Sequence, residues 1–114
     1  MKEKNKVLGL TGEITAAKYL QKQGYKILKT NYSCKCGEID LIAMQKDVLI
    51  FVEVKNRDTL AFGSPSEAVN FPKQRKIRKT AQYFLLEQKL RDVACRFDVI
   101  EIIGDKINHI ENAF

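Results

Sequence analysis

The sequence predicts an α/β fold, one mixed β-sheet flanked by helices with elements in the order α-β-β-β-α-β-β. Three observations carry this. Two segments repeat their apolar residues at helical spacing, one near each end of the strand-rich centre. Between them, GEIDLIA and VLIFVEVK are apolar enough and close enough to form a hairpin. A further apolar run, FDVIEII, follows the second helical segment. A length of 114 residues fits a single domain spanning 1–114.

Taken in order, Leu10, Ile14, Ala17 and Leu20 recur at helical spacing, and Gly24 is placed to cap that helix. Tyr25–Tyr32 alternates as a first strand, and Gly37–Ala43 and Val48–Lys55 are the strongest strands. Ser64-Pro65-Ser66-Glu67 has the form of a capping box with Pro at the first helical position, opening a short helix. Asn70-Phe71-Pro72 precedes a longer helix over Lys73–Leu90, with Ile77, Ala81, Phe84, Leu85 and Gln88 as its inner stripe. Phe97–Ile103 and Ile107–Glu111 are strands joined by Gly104-Asp105-Lys106.

Hydrophobic residues make up 45% of the chain and charged ones 30%, the balance of a soluble globular protein. The longest apolar stretch, Val48–Val52, is too short to cross a bilayer, and the N-terminus lacks the pattern of a secretory signal, so a cytoplasmic protein is expected. Cys34, Cys36 and Cys95 are odd in number and read as free thiols. With His109 they could complete a zinc set only if the fold happened to gather them.

Net charge is +6, and it is unevenly spread. Residues 1–35 carry eight Lys and two acids, residues 36–72 six acids and three basic residues, and residues 73–96 eight basic residues and two acids. An acidic centre thus lies between basic flanks, a pattern suited to a polyanion whose phosphates the flanks hold.

If the two strong strands turn at Lys46-Asp47, Met44 faces Leu49, Ile42 faces Phe51, Asp40 faces Glu53 and Glu38 faces Lys55. Side-chain alternation places all eight on one face, with Ile39, Leu41, Ala43, Val48, Ile50, Val52 and Val54 opposite. Lys-Asp is a poor pair for the mirror-image turns short hairpins favour, and a four-residue loop would keep the same pairing. Opposed carboxylates repel unless a proton or a cation sits between them. Mg²⁺ or Mn²⁺, held by Asp40 and Glu53, would resolve that repulsion and activate water as a nucleophile. Lys55 projects beside them and can offset charge on a phosphate. The carboxylates are expected to hold its pKa up, which argues against a general base. The plain alternative is a Glu38–Lys55 ion pair at a solvated strand end.

Glu13 borders the inner face of the first helix and can point toward the sheet, with an exposed helix acid equally open. KQRKIRK (Lys73–Lys79) places Lys73, Lys76 and Lys79 on one side of a helix, where with Arg75 they could hold phosphates. A solvated helix face is the alternative.

Asp40 followed across a hairpin by Glu53-Val54-Lys55 resembles the PD-(D/E)xK nuclease signature of restriction endonucleases and archaeal Holliday-junction resolvases, although Ile39 stands where that signature has Pro. More closely, the chain resembles the YraN-like family of small uncharacterised bacterial proteins. The matching pieces are Gly12-Glu13, Gly24-Tyr25, Asn31-Tyr32, GEIDLIA, FVEVKNR, Phe62-Gly63-Ser64-Pro65, Lys73, RFDVI and the closing His109–Phe114. The resemblance implies a restriction-endonuclease-like core and, by analogy with the resolvases, metal-dependent cleavage of DNA, with branched or structured DNA as the expected substrate. It makes Asp40 and Glu53 the metal ligands, Lys55 the charge stabiliser and Glu13 an additional carboxylate. The expected partner is nucleic acid, DNA before RNA, and a homodimer is compatible with the chain. Rival readings are a catalytically silent nucleic-acid-binding module of the same fold and a scaffold whose acids are structural.

Overall fold

The computed structural model describes the backbone of residues 2–57 and 69–114, and side chains from Thr11 to Asn56 and from Val69 onward. The elements are α1 (Lys2–Lys22), β1 (Lys26–Cys34), β2 (Gly37–Gln45), β3 (Val48–Arg57), α2 (Phe71–Glu87), β4 (Ala94–Ile103) and β5 (Lys106–Ile110). The expected order is therefore present. The capping box at 64–67 lies outside the described residues.

The five strands form one mixed sheet in the order β1-β2-β3-β4-β5. Neighbours are antiparallel except β3 and β4, which run parallel because α2 carries the chain between them. Each face of the sheet is covered by one helix. Ile77, Ala81 and Phe84 of α2 pack with Ile42, Leu49, Phe51 and Val99, and Ala16 and Leu20 of α1 pack with Leu41, Ala43, Ile50, Val52 and Ile100. The result is a small α/β domain in which β2 and β3, at the centre, are covered on both sides.

Helix α1 buries a different stripe from the one its sequence predicts. Ala16 and Leu20 are fully buried, whereas Ile14 is 55% exposed. Small residues explain the rotation. A Cβ added to Gly12 would lie 3.4 Å from the Asn56 side chain, so Gly12 and Ala16 let the helix axis approach β3 closely. Gly24 ends α1 as expected. With φ of 92° it lets its own N–H reach the Gln21 carbonyl (3.0 Å) and the Tyr25 N–H reach the Leu20 carbonyl (2.9 Å), satisfying groups that a helix end leaves open.

The β2–β3 register is the one expected, with Met44 opposite Leu49 and Ile42 opposite Phe51 around a two-residue Lys46-Asp47 turn. Lys46 takes φ of 54°, supplying the left-handed backbone that the turn requires without glycine. The ladder stops at Leu41–Val52, however, before the expected Asp40–Glu53 and Glu38–Lys55 pairs. Asn31, across from Asp40 on β1, also adopts a left-handed φ of 52°. These distortions break the alternation of β2. Ile39 packs on the α2 side with Tyr32 and Ile42, not on the α1 side with Leu41.

Helix α2 opens at Asn70, whose Oδ1 accepts the Lys73 N–H at 3.0 Å, with Pro72 in the first turn. Its buried residues are Ile77, Thr80, Ala81 and Phe84, while Gln88 is an exposed cap and not part of the inner stripe. The buried Thr80 hydroxyl bonds back to the Lys76 carbonyl at 2.8 Å, so the helix interior satisfies it.

A buried polar network ties the C-terminal strands together. Asp98, wholly buried, accepts from Arg96 Nε (2.8 Å), Arg96 Nη2 (2.9 Å) and the Asn112 N–H (2.9 Å), and lies 2.7 Å from His109 Nε2. His109 Nδ1 lies 3.2 Å from the Tyr19 hydroxyl of α1. Of the residues considered for zinc, His109 is engaged by Asp98 and Tyr19, and among the described residues no group of three or more His, Cys, Asp and Glu is placed to hold a metal ion.

Candidate active site

The open end of the β2–β3 hairpin gathers charged groups from four elements. Gly37, Glu38 and Asp40 of β2, Glu53 of β3, and Lys73, Lys76 and Ile77 of α2 line a pocket of about 230 Å³. Glu13 of α1 meets Asp40 from the adjoining side, where it lines a larger, more apolar cavity of about 310 Å³ with Asn31. The smaller pocket gathers three acids and two lysines, whereas the larger one holds Glu13 alone among acids.

The broken ladder orients Asp40. Its Oδ2 accepts the Val54 N–H at 2.7 Å, replacing a backbone bond and fixing the carboxylate at the mouth of the hairpin. Glu53 is 9% exposed, and its Oε1 lies 3.0 Å from Lys73 Nζ and 3.9 Å from Lys55 Nζ. Glu13 lies against Asp40 and Asn31, and its Oε2 is buried with no hydrogen-bond partner among the described residues.

These contacts set the electrostatics. Burial raises the pKa of Asp40, and the neighbouring Glu13 charge adds to it against the restraining Val54 N–H. Burial and the Asp40 charge raise Glu53 above the ordinary carboxylate range despite Lys73. Burial likewise raises Glu13. Lys55 is pushed down, by burial and then by the Lys73 ammonium, which together outweigh Glu53 and Asp40. That reverses the expectation for Lys55. The sequence shows its acidic neighbours but not the second lysine that α2 brings in. Burial also opposes the charge of Lys73, but Lys55 and Glu53 outweigh it and its pKa rises.

The fold thus unites Glu13, Asp40, Glu53 and Lys55 and places Glu38, exposed, at the pocket rim. It divides the basic group. Lys76 lines the pocket and Arg75 and Lys79 lie exposed on α2. Lys73 instead turns inward onto Glu53. Sequence reasoning placed Lys73 on the phosphate-facing side because only its helix neighbours were visible. Asn31 was also missed as a site neighbour, and a left-handed Asn inside a strand has no signal beyond the tolerance of Asn for that backbone.

Glu13, Asp40 and Glu53 are the side chains that could hold a hard cation, although among the described residues no group of three or more His, Cys, Asp and Glu is gathered as a metal site. Crowded carboxylates with raised proton affinity, and a buried oxygen without a partner, call for positive charge. In the described structure Lys73 supplies part of it.

The comparisons fall in one group. A UPF0102 protein of Caldanaerobacter subterraneus subsp. tengcongensis is 50% identical over 122 residues covering 100% of both chains. One from Alkaliphilus oremlandii is 50% identical over 96% of this chain and 99% of its own. One from Clostridioides difficile is 48% identical over 96% of this chain and 98% of its own. The family model for uncharacterised protein family UPF0102 matches residues 12–102, an interval containing Glu13, Asp40, Glu53, Lys55 and Lys73, and the chain belongs to that family.

Proposed function

We propose that this protein is a divalent-metal-dependent endonuclease with a restriction-endonuclease-like core, acting in the cytoplasm on DNA of branched or otherwise structured form. The observation that carries the reading is the convergence of Glu13, Asp40 and Glu53, from three different elements, beside Lys55 and Lys73. Carboxylates packed this closely cost stability, and such a cost is characteristic of functional sites.

Asp40 and Glu53 would hold Mg²⁺ or Mn²⁺, with the free oxygen of Glu13 adding to the set. The bound cation would supply Lewis-acid chemistry, neutralising phosphate charge and making water more acidic. Hydrolysis joins a water oxygen to phosphorus and breaks the bond to the leaving sugar oxygen, with negative charge growing on the phosphoryl oxygens. Lys55 offsets that charge, the Val54 N–H keeps Asp40 aimed, and Arg75, Lys76 and Lys79 hold flanking phosphates. Lys73, which sits on Glu53 Oε1, would have to shift for that oxygen to help hold a cation.

The Lys73–Glu53 ion pair also favours a second reading, a silent binding module in which lysine permanently replaces the cation. Calorimetric titration of Mn²⁺ separates the two. The nuclease reading expects weak binding by the free protein, strengthened by a non-hydrolysable DNA strand and abolished by Asp40→Asn. No heat of binding with or without DNA would favour the silent module.

A further inference from the structure

We infer that the outer face of α2 is a stacking surface for unpaired bases, so that the nucleic acid bound by this protein is single-stranded or locally opened along that helix. The inference rests on the nucleic-acid reading above and specifies its substrate class.

The large hydrophobic side chains exposed among the described residues are Ile14, Phe71, Tyr83 and Leu86, and three of the four belong to α2. Isolated exposed apolar residues are ordinary, but a set gathered on one element is not. At about 100° per residue, Phe71, Arg75, Lys79, Gln82, Tyr83 and Leu86 share the face opposite the buried Ile77, Thr80 and Phe84. One surface therefore carries Phe71 at its start, cations at Arg75 and Lys79, and Tyr83 with Leu86 beyond them.

Phe71 is the strongest member. It is 74% exposed, yet its backbone is firmly placed. Val69, two residues earlier, is 2% exposed in the core, and its carbonyl accepts the Gln74 side-chain amide at 2.8 Å. Asn70 caps the helix and Pro72 stiffens its first turn. Two residues after Phe71, Lys73 reaches into the carboxylate cluster at 3.0 Å from Glu53. An aromatic ring is thus held in solvent at the end of α2 that supplies Lys73 to the pocket, about 160° around the helix from that lysine. From Phe71 to Leu86 the face runs about 22 Å, room for several extended nucleotides.

Charge identifies the occupant. Between residues 71 and 87 the helix carries five basic residues and one acid, Glu87. A second copy of this face would be repelled, and a neutral peptide would leave the cations unmatched. A single strand supplies both a phosphate row and flat apolar rings, the combination that aromatic and basic surfaces bind without sequence preference.

The test is equilibrium binding in EDTA, by fluorescence anisotropy, of a labelled single strand and of the same sequence as a blunt duplex. Phe71→Ala should weaken single-strand binding about tenfold, the loss of one stacked base, and duplex binding by much less. Because the chain contains no tryptophan, Phe71→Trp installs a lone reporter. It should retain single-strand affinity, and its emission should be quenched on binding. Equal losses for the two substrates, no loss, or an unquenched Trp overturns the inference while leaving the nucleic-acid reading intact. Failure of the wild type to bind any nucleic acid overturns both. Self-association that Phe71→Ala abolishes would identify the face as a protein interface and also overturn it.

Discussion

At Asp40 the fold holds a carboxylate at the point where the hairpin ladder ends, between Glu13, Glu53 and the Val54 N–H. Because Asp40 and Glu53 bind protons more tightly folded than unfolded, the native chain carries more protons above the ordinary carboxylate range. Stability from these groups is therefore complete at low pH and falls as pH rises through that range toward their raised values. Asp40→Asn keeps an acceptor for Val54 and removes one charge. It should stabilise the protein by about 0.5–2 kcal/mol at neutral pH in urea denaturation, with the gain shrinking as the solution is acidified. Lys55→Ala tests a different property. It should slow cleavage about a hundredfold, roughly 3 kcal/mol of transition-state stabilisation, while DNA affinity changes little. Equal losses in binding and cleavage would make Lys55 one phosphate contact among many.

Helix α2 supplies Lys73 and Lys76 to the pocket and the exposed cations beside it, so its start governs the site. Asn70→Ala should cost about 1 kcal/mol in urea denaturation by leaving the Lys73 N–H without its cap. Arg75, Lys76 and Lys79 changed together to Ala should weaken binding to all DNA sequences alike and lower the slope of affinity against salt by about 2 to 3. An unchanged slope would mean a merely solvated helix face. Elements of this kind were legible from the sequence because period, capping residues and turn chemistry are local. The hairpin register from Gln45–Val48 to Leu41–Val52 and the Gly24 terminus follow from neighbours within a few residues, whereas α2 spans Phe71–Glu87 under its Asn70 cap and not Lys73–Leu90. What escaped was set by distant contacts. Gly12 and Ala16 rotate α1 so that Ile14 faces outward, the Asn31–Asp40 distortion moves Ile39 to the other layer, and the crossover brings Lys73 onto Glu53. Asp40, Glu53 and Lys55 were readable as a group because one hairpin spaces them, whereas the second lysine required knowing which helix lies above it.

The whole molecule separates a destabilised end from a reinforced one. At the hairpin mouth, acids crowd beside α2, while at the other side of the sheet Asp98 satisfies Arg96, His109 and the Asn112 N–H and links β4, β5 and α1. Burial raises the pKa of Asp98, but His109, Arg96 and Asn112 outweigh it, so the net shift is downward. Its stabilisation is thus present above the ordinary carboxylate value and lost as pH falls through the lowered one, opposite in sign to the Asp40 effect. Asp98→Ala should cost about 3–5 kcal/mol by thermal or urea denaturation, since it leaves Arg96 partly buried without its carboxylate. A loss under 1 kcal/mol would remove the network from the account of stability. That reinforcement lets the opposite end carry crowded charge. Whether this crowded end cuts nucleic acid is read by a denaturing-gel assay of labelled single-stranded, branched and duplex DNA with Mg²⁺, Mn²⁺ or EDTA. Divalent-dependent cleavage by the wild type is expected, fastest on strands with unpaired bases and absent in Asp40→Asn and Glu53→Gln. Intact DNA under every condition, or cleavage that survives Asp40→Asn, would contradict it.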